Sequence, residues 1–265
     1  MKELKRIFKR NTHNSFFKQL AGFGRALNRL YENRNHDVYS NGELTVLKKI
    51  SKFNPAVIID GGANIGNYSL LLREYNPQSK IFAFEPVVDT FNQLKNKVGE
   101  QKNIVPINKG LFSETCSKEI NIFNSHTHSS IYDIKGISYQ STDLQSIELT
   151  SGDDFAIEQG LDEIDFVKLD LEGAEYDAIV GFRNLLERKR IKVIQFEYGY
   201  INISTKKLLI DFYTLLNEFG YLVGKIFPKI VEFRDYNFMH EDFIGPNFIA
   251  VNKNEKELIE SFKKK

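Results

Sequence analysis

The sequence predicts an α/β fold: a Rossmann-like, doubly wound, mostly parallel sheet with helices on both faces, preceded by an N-terminal helical extension. Three observations predict it. Short apolar runs such as Val57-Ile58-Ile59, Ile81-Phe82-Ala83-Phe84 and Val193-Ile194 recur between amphipathic stretches, as buried parallel strands alternating with helices do. The first run ends in Asp60-Gly61-Gly62-Ala63-Asn64-Ile65-Gly66-Asn67, a carboxylate followed by a glycine-rich turn into a helix. The second run ends in another carboxylate, Glu85, followed by Pro86.

The elements follow in order. Residues 1–31 carry eight Lys or Arg against Glu3 alone, a net charge of +7, with Ile7, Phe8, Phe16, Phe17, Leu20, Phe23, Leu27 and Leu30 spaced through them. This is an amphipathic basic helix or pair of helices. Such a surface suits an anionic membrane or an acidic partner. The plainer reading, favoured here, is a lid packed on the domain with its basic side in water. The basic extension takes residues 1–40, the main domain 41–253, and a charged helix or tail 254–265.

Within the main domain a helix is expected at 41–53, a strand at 56–60 and a helix at 65–75, closed by Asn76-Pro77. A strand at 80–84 leads to a helix at 86–98, since proline suits a first helical turn. A strand follows at 104–107. Residues 118–150 break the rhythm: Ile120, Ile122, Leu144, Ile147 and Leu149 mark short antiparallel strands around a polar loop, 124–142, with His126, His128, Ser129 and Ser130. The rhythm returns with a helix at 153–159, a strand at 164–169, a helix from 174, a strand at 191–196, a helix at 205–219, and strands at 221–227 and 247–251. The antiparallel candidates come late, as a sheet edge would.

The 265 residues, 42% hydrophobic and 27% charged, suffice for one large α/β domain with its own core. Net charge is +1, with no overall bias towards polyanions. Cys116 is the one cysteine, which excludes an intramolecular disulfide and a cysteine metal cluster and favours a cytoplasmic location. No apolar run approaches the ~20 residues that span a bilayer, and no secretory signal is expected at the front.

The glycine-rich turn lets the backbone bend tightly and approach a ligand. Free N–H groups opening the next helix suit a carboxylate or phosphate. The turn lacks G-x-G-x-x-G: Gly61 and Gly62 are adjacent, and Asn64 stands near where a pyrophosphate would need glycine. That argues against a nicotinamide-dependent oxidoreductase. S-adenosyl-L-methionine fits better, because its amino-acid group needs both acceptors and donors and its ribose offers two hydroxyls to Glu85. Candidate cofactor-binding residues are Asp60, Gly61, Gly62, Asn64, Gly66, Asn67, Glu85, Pro86 and Asp170.

A second dense stretch is Lys168-Leu169-Asp170-Leu171-Glu172-Gly173-Ala174-Glu175. Alternation along a strand puts Lys168 and Asp170 on one side, with Glu172 where the strand ends. Charges at the mouth of a buried strand are costly unless paired or used. Glu175 opens the next helix, where its charge suits the dipole. Glu197 adds a carboxylate at the end of the following strand.

These blocks, with Ala83-Phe84-Glu85-Pro86, stand in the order and spacing of the FkbM-like methyltransferases, which the chain resembles over residues 40–252. The resemblance implies a class I S-adenosylmethionine-dependent fold and an O-methyltransferase acting on sugar or polyketide hydroxyls. One block departs. The family shows Thr-Leu-Asp where this chain has Ser151-Gly152-Asp153-Asp154, a change expected to reshape the substrate pocket.

The expected reaction is in-line attack of a hydroxyl on the methyl group of a sulfonium. Orientation supplies much of the acceleration, and a base helps because an alcohol is a poor nucleophile. Asp170 and Glu172 are the first candidates for that base, and Asp170 alternatively holds the donor's amino group or the acceptor hydroxyl. His128, with His126, is a rival on the polar loop. Lys168 either stabilises an alkoxide or pairs with Asp170. No metal is expected. The acceptor is expected to be a nucleotide-linked or glycan-borne sugar or related small molecule, with Tyr132 and Tyr139 as sugar-facing aromatics. Nucleic acid is disfavoured, since no Asn-Pro-Pro-aromatic motif follows the fourth strand. The remaining alternative is a non-enzymatic interaction protein docking through residues 1–31, and oligomeric state is left open.

Overall fold

The fold is that of a computed structural model, and the structure describes residues 2–10, 12–123, 129–134 and 141–264. The chain begins with helices α1 (Lys2–Arg10), α2 (Ser15–Tyr31) and α3 (Glu43–Ile50), the last extended by a tight turn at Ser51–Phe53. Then come β1 (Val57–Gly61), α4 (Asn67–Tyr75), β2 (Lys80–Phe84), α5 (Val88–Val98) and β3 (Ile104–Ile107). An excursion follows: β4 (Gly110–Phe112), β5 (Cys116–Phe123), β6 (Ser129–Ser130) and β7 (Ser141–Ser151). The alternation resumes with α6 (Gly152–Gln159), β8 (Ile164–Leu169), α7 (Glu175–Val180), α8 (Arg183–Glu187) and β9 (Ile191–Glu197). The chain finishes with α9 (Asn202–Thr205), α10 (Leu209–Glu218), β10 (Tyr221–Ile226), β11 (Val231–Phe233), β12 (Asn247–Asn252) and α11 (Lys256–Lys263).

Among the described residues, eight strands form the main sheet in the order β11-β10-β12-β9-β8-β1-β2-β3. Strands β3, β2, β1, β8 and β9 run parallel. Alternating side chains feed two cores. Ile59, Phe82, Val167 and Phe196 pack under α6, α7, α8 and α10, while Ile58, Ile81, Phe166 and Val193 pack under α3, α4, α5 and α11. A sheet covered on both faces needs near-continuous apolar strands, which is why these strands were legible as short runs. The order reverses at β1, whose neighbours are β2 and β8. The crevice at the carboxyl ends of those strands is where such sheets bind ligands.

Several expectations need correction. The antiparallel strand β12 is not an edge; it lies between β9 and β10 and pairs with both. All six of its residues are buried, as an interior strand requires. The edges are β11 and β3, and Pro106 in β3 sits where a missing N–H costs no ladder bond. The excursion forms a sheet of its own, β4-β7-β5-β6, with an eleven-residue β7 instead of short strands. The helix expected at 205–219 is broken, because Lys206 takes a left-handed conformation (φ 59°) and ends α9. Glu241 then accepts the N–H groups of Leu209 and Ile210 and starts α10.

The packed-lid reading of the extension also fails. No residue of α2 is buried, and its apolar side chains are open to solvent.

Candidate functional site

The glycine turn after β1 is built for close approach. Gly62 has φ 76°, and a Cβ there would lie 1.9 Å from the carbonyl oxygen of Asp170. The turn therefore touches the exit of β8, and only glycine fits. The N–H groups of Gly62 and Ala63 both donate to the Phe84 carbonyl, tying the turn to the tip of β2. Asn64, in a left-handed conformation (φ 50°), donates its N–H to Glu85 Oε2 at 3.1 Å, and Val87 N–H donates to Glu85 Oε1 at 3.0 Å. Glu85 is 7% exposed. Burial pushes its pKa up to about 7, with the two N–H donors only partly opposing.

Helix α4 begins at Asn67 rather than 65 because Asn64 and Gly66 hold left-handed conformations. A Cβ on Gly66 would press within 2.7 Å of Leu94, so this glycine lets α5 pack close.

A cavity of about 240 Å³ opens beside Glu85. Its polar end is Gly62, Asn64, Glu85, Asp170 and Glu172; its other end is an apolar slot between Val87 and the second sheet, lined by Leu111, Ile120, Ile147 and Leu149. A smaller cavity of about 50 Å³ lies at the ends of β8 and β9, lined by Glu172, Glu175, Glu197 and Tyr200, and by Arg34 and His36 after α2. Glu172 lines both.

The turn leaving β8 is held in a costly shape. Glu172 (φ 51°) and Gly173 (φ 108°) are both left-handed, and such strain at a non-glycine residue persists only where the surroundings impose it. Glu175 imposes it. Its carboxylate, 2% exposed, reaches back to accept the N–H groups of Leu171 (2.7 Å) and Gly173 (3.1 Å). Burial raises its pKa to about 8 despite those donors. Its role therefore exceeds the helix-dipole contact expected at the start of α7. Ser130 of the second sheet adds a hydroxyl bond to the Glu172 carbonyl at 2.7 Å. Glu175→Ala, which strands the N–H groups of Leu171 and Gly173, should lower stability in urea at pH 5 by on the order of 2–4 kcal/mol, a loss that shrinks as pH rises through about 8 and the buried carboxyl ionises. It should also weaken ligand binding in the larger cavity.

Beneath the two turns lies a buried charge cluster. Asp60 sits in register beside Lys168 across β1 and β8. Lys168 Nζ lies 2.9 Å from Asp170 Oδ2 and 4.6 Å from the centre of the Tyr68 ring. Burial alone would lower the lysine's pKa, but the carboxylates of Asp170, Asp60 and Glu43 outweigh it and hold the ammonium charged. Asp60 Oδ2 accepts the Ser69 hydroxyl at 2.6 Å, and Glu43 accepts Gln195 Nε2 at 2.7 Å. Asp60 is fully buried, and burial raises its pKa although Lys168 opposes. Burial and then the Asp170 charge push Glu197 well above the carboxylate range.

Gly62, Asn64, Glu85, Pro86, Asp170 and Glu172 thus meet around the larger cavity. Asp60 and Lys168 form its foundation instead, and Gly61 and Gly66 shape the backbone. Asn67 is exposed, and its side-chain carbonyl accepts the Lys97 ammonium. His126, His128 and Tyr139 lie outside the described residues. Tyr132 is engaged elsewhere: its hydroxyl donates to Asp177 and its ring packs in the second sheet's small core. Ser151 caps α6, and Gly152 yields to the Phe182 ring, so the departing block at 151–154 lines neither cavity. Sequence reasoning missed the apolar slot, the Glu43–Gln195 support, and Arg34 and His36. The alternating apolar residues of β5 and β7 were the available signal for the slot.

The model of the Methyltransferase FkbM domain matches residues 60–223, more than half the chain. The hexuronic acid methyltransferase AglP of Haloferax volcanii is 28% identical over 157 residues, 58% of this chain and 61% of that protein. The 2-O-methyltransferase NoeI of Sinorhizobium fredii is 24% identical over 157 residues, 55% of this chain and 64% of that protein. Each match thus spans less than two thirds of the relative's length. A solved FkbM methyltransferase from Methylobacillus flagellatus superposes with TM-score 0.47 at 17% identity, covering 74% of this chain and 44% of that one. The matched segment runs from Asp60 at the start of the glycine turn to Val223 in β10, taking in both cavity-forming strand ends, and the chain belongs to the FkbM methyltransferase domain family.

Proposed function

We propose that the chain is an S-adenosyl-L-methionine-dependent O-methyltransferase acting on a sugar hydroxyl. The observation that carries the reading is the larger cavity: a buried carboxylate at the tip of β2 beside a glycine turn, with an apolar slot on its far side. These residues fit the donor. Gly62, where any side chain would collide with Asp170, leaves backbone at the ligand. Glu85 would accept the ribose hydroxyls, Val87, Leu111, Ile120 and Leu149 would cover the adenine, and Asp170 would hold the amino group. When bound, the donor supplies an electrophilic methyl on a sulfonium.

The chain's own residues orient and deprotonate. Asp170 already accepts from Lys168, which favours it as a binding group. Glu172 lines both cavities, which supports it as the carboxylate that takes a proton from an acceptor in the smaller one. Tyr200 offers an exposed aromatic face beside it. The name of one relative, a hexuronic acid methyltransferase, supports a sugar acceptor, and that of another, a 2-O-methyltransferase, supports transfer to oxygen.

Transfer of radiolabelled methyl from the donor to uronic-acid and neutral glycans tests this reading. A base-stable methyl ether is expected; a base-labile ester would move the reaction from hydroxyl to carboxylate. Donor affinity should also depend on pH. Glu85 has its pKa raised in the fold, so its contribution to stability is present below about 4.5 and lost as pH rises through about 7. The ionised form is the better acceptor for hydroxyls. S-adenosylhomocysteine should therefore bind about tenfold more weakly at pH 6 than at pH 8 by calorimetry.

A further inference from the structure

Basic charge and exposed apolar surface coincide in one segment. Residues 1–31 carry +7, and the rest of the chain, +1 less +7, carries −6. In α2, Phe16, Leu20, Phe23, Leu27 and Leu30 recur at spacings of four and three on one side, and each is at least 50% exposed. Lys18, Arg25 and Arg29 take the other side. In α1, Ile7 and Phe8 are more than half exposed, with Lys5 and Arg10 at the flanks of that stripe. Phe8 meets Phe17 edge-on at 6.0 Å and joins the two helices. Each helix therefore has a Phe/Leu/Ile face and a Lys/Arg face, the pattern of helices that lie in a bilayer interface. Long basic side chains bend towards headgroups while their stems stay with the apolar face. Among the described residues, no helix is long and apolar enough to cross a membrane.

The foot of α2 is clamped to the domain. Glu32 pairs with Lys225 at 2.7 Å and Arg234 at 3.6 Å, and the Asn33 amide donates to the carbonyls of Asn41 and Ile226. Arg34 and His36, just beyond, line the smaller cavity.

We propose that residues 2–31 dock the protein on an anionic bilayer surface, holding the mouth of the smaller cavity at that surface. Pairing two α2 helices would bring together two segments of +7, and the −6 remainder of a second copy would meet the basic face alone, whereas an anionic bilayer interface takes up the basic and the apolar face together. The acidic remainder of the chain is repelled, which leaves the extension as the contact.

Flotation of the full-length chain with vesicles tests the proposal. It should float with phosphatidylcholine vesicles containing 30% phosphatidylglycerol and bind at least tenfold more weakly to pure phosphatidylcholine or in 0.5 M NaCl. The double variant Leu20→Glu, Phe23→Glu should lose at least tenfold in binding to the anionic vesicles. Its S-adenosylhomocysteine affinity should stay unchanged, which separates docking from the cofactor reading. Equal binding to both vesicle types, or none, would overturn the proposal. So would a wild-type dimer in sedimentation that the double variant converts to monomer, with no vesicle binding by either.

Discussion

Glu85→Gln should weaken S-adenosylhomocysteine binding by about 10–100-fold while leaving thermal stability at pH 8 unchanged or raised. Hydrogen bonds to a charged group contribute roughly 1.5–3 kcal/mol each, and two ribose hydroxyls would share this carboxylate. Glutamine keeps the shape but offers one acceptor oxygen, and its NH₂ faces one of the two N–H donors, from Asn64 or Val87. Without ligand, the buried carboxylate is a burden on the fold, as its pKa of about 7 records. Removing it should cost binding rather than stability. Calorimetry at pH 6 and pH 8 adds a second readout: the dependence on pH should vanish in the variant. Equal affinity in wild type and variant at pH 8 would exclude Glu85 as the ribose acceptor.

Glu172→Gln should lower kcat by about 10²–10⁴-fold, the range typical of general acid–base catalysis. S-adenosylhomocysteine affinity should change less than threefold. Glutamine preserves length and tolerates the same backbone shape, so the turn closed by Glu175 should persist. Asp170→Asn should do the reverse, raising the donor KM more than it lowers kcat, because Asp170 lines the larger cavity alone and pairs with Lys168. If Asp170→Asn removed turnover while Glu172→Gln did not, the two roles would be exchanged.

The polar half of the site was legible because strand tips follow from local pattern. An apolar run that stops at a carboxylate beside a turn-former or further charges marks a strand end, and parallel alternation brings such ends to one edge. Asp60, Glu85 and Asp170 were found that way. Their roles were not legible, because facing depends on register across strands. Asp60 turns under the sheet towards Ser69 and Lys168, and only the pairing of β1 with β8 shows it. Glu175 illustrates another limit: its place at a helix start is legible, but its reach back four residues to Leu171 depends on the left-handed turn at Glu172 and Gly173, which the residue pattern does not reveal. The apolar slot needed the second sheet to fold over Val87, a contact between segments about 30 to 60 residues apart. The interior position of β12 rests on the topology of the final strands, which local hydrophobicity does not encode. The exposure of α2 reversed the favoured reading for a similar reason, since an amphipathic pattern marks an apolar face without saying what covers it.

The most direct test of the donor site is a crystal structure with S-adenosylhomocysteine. Both ribose hydroxyls should lie within hydrogen-bond reach of Glu85, the adenine between Val87 and the second sheet, and the sulfur directed towards Glu172. A ligand bound elsewhere, or a larger cavity left empty at saturating concentration, would contradict the account.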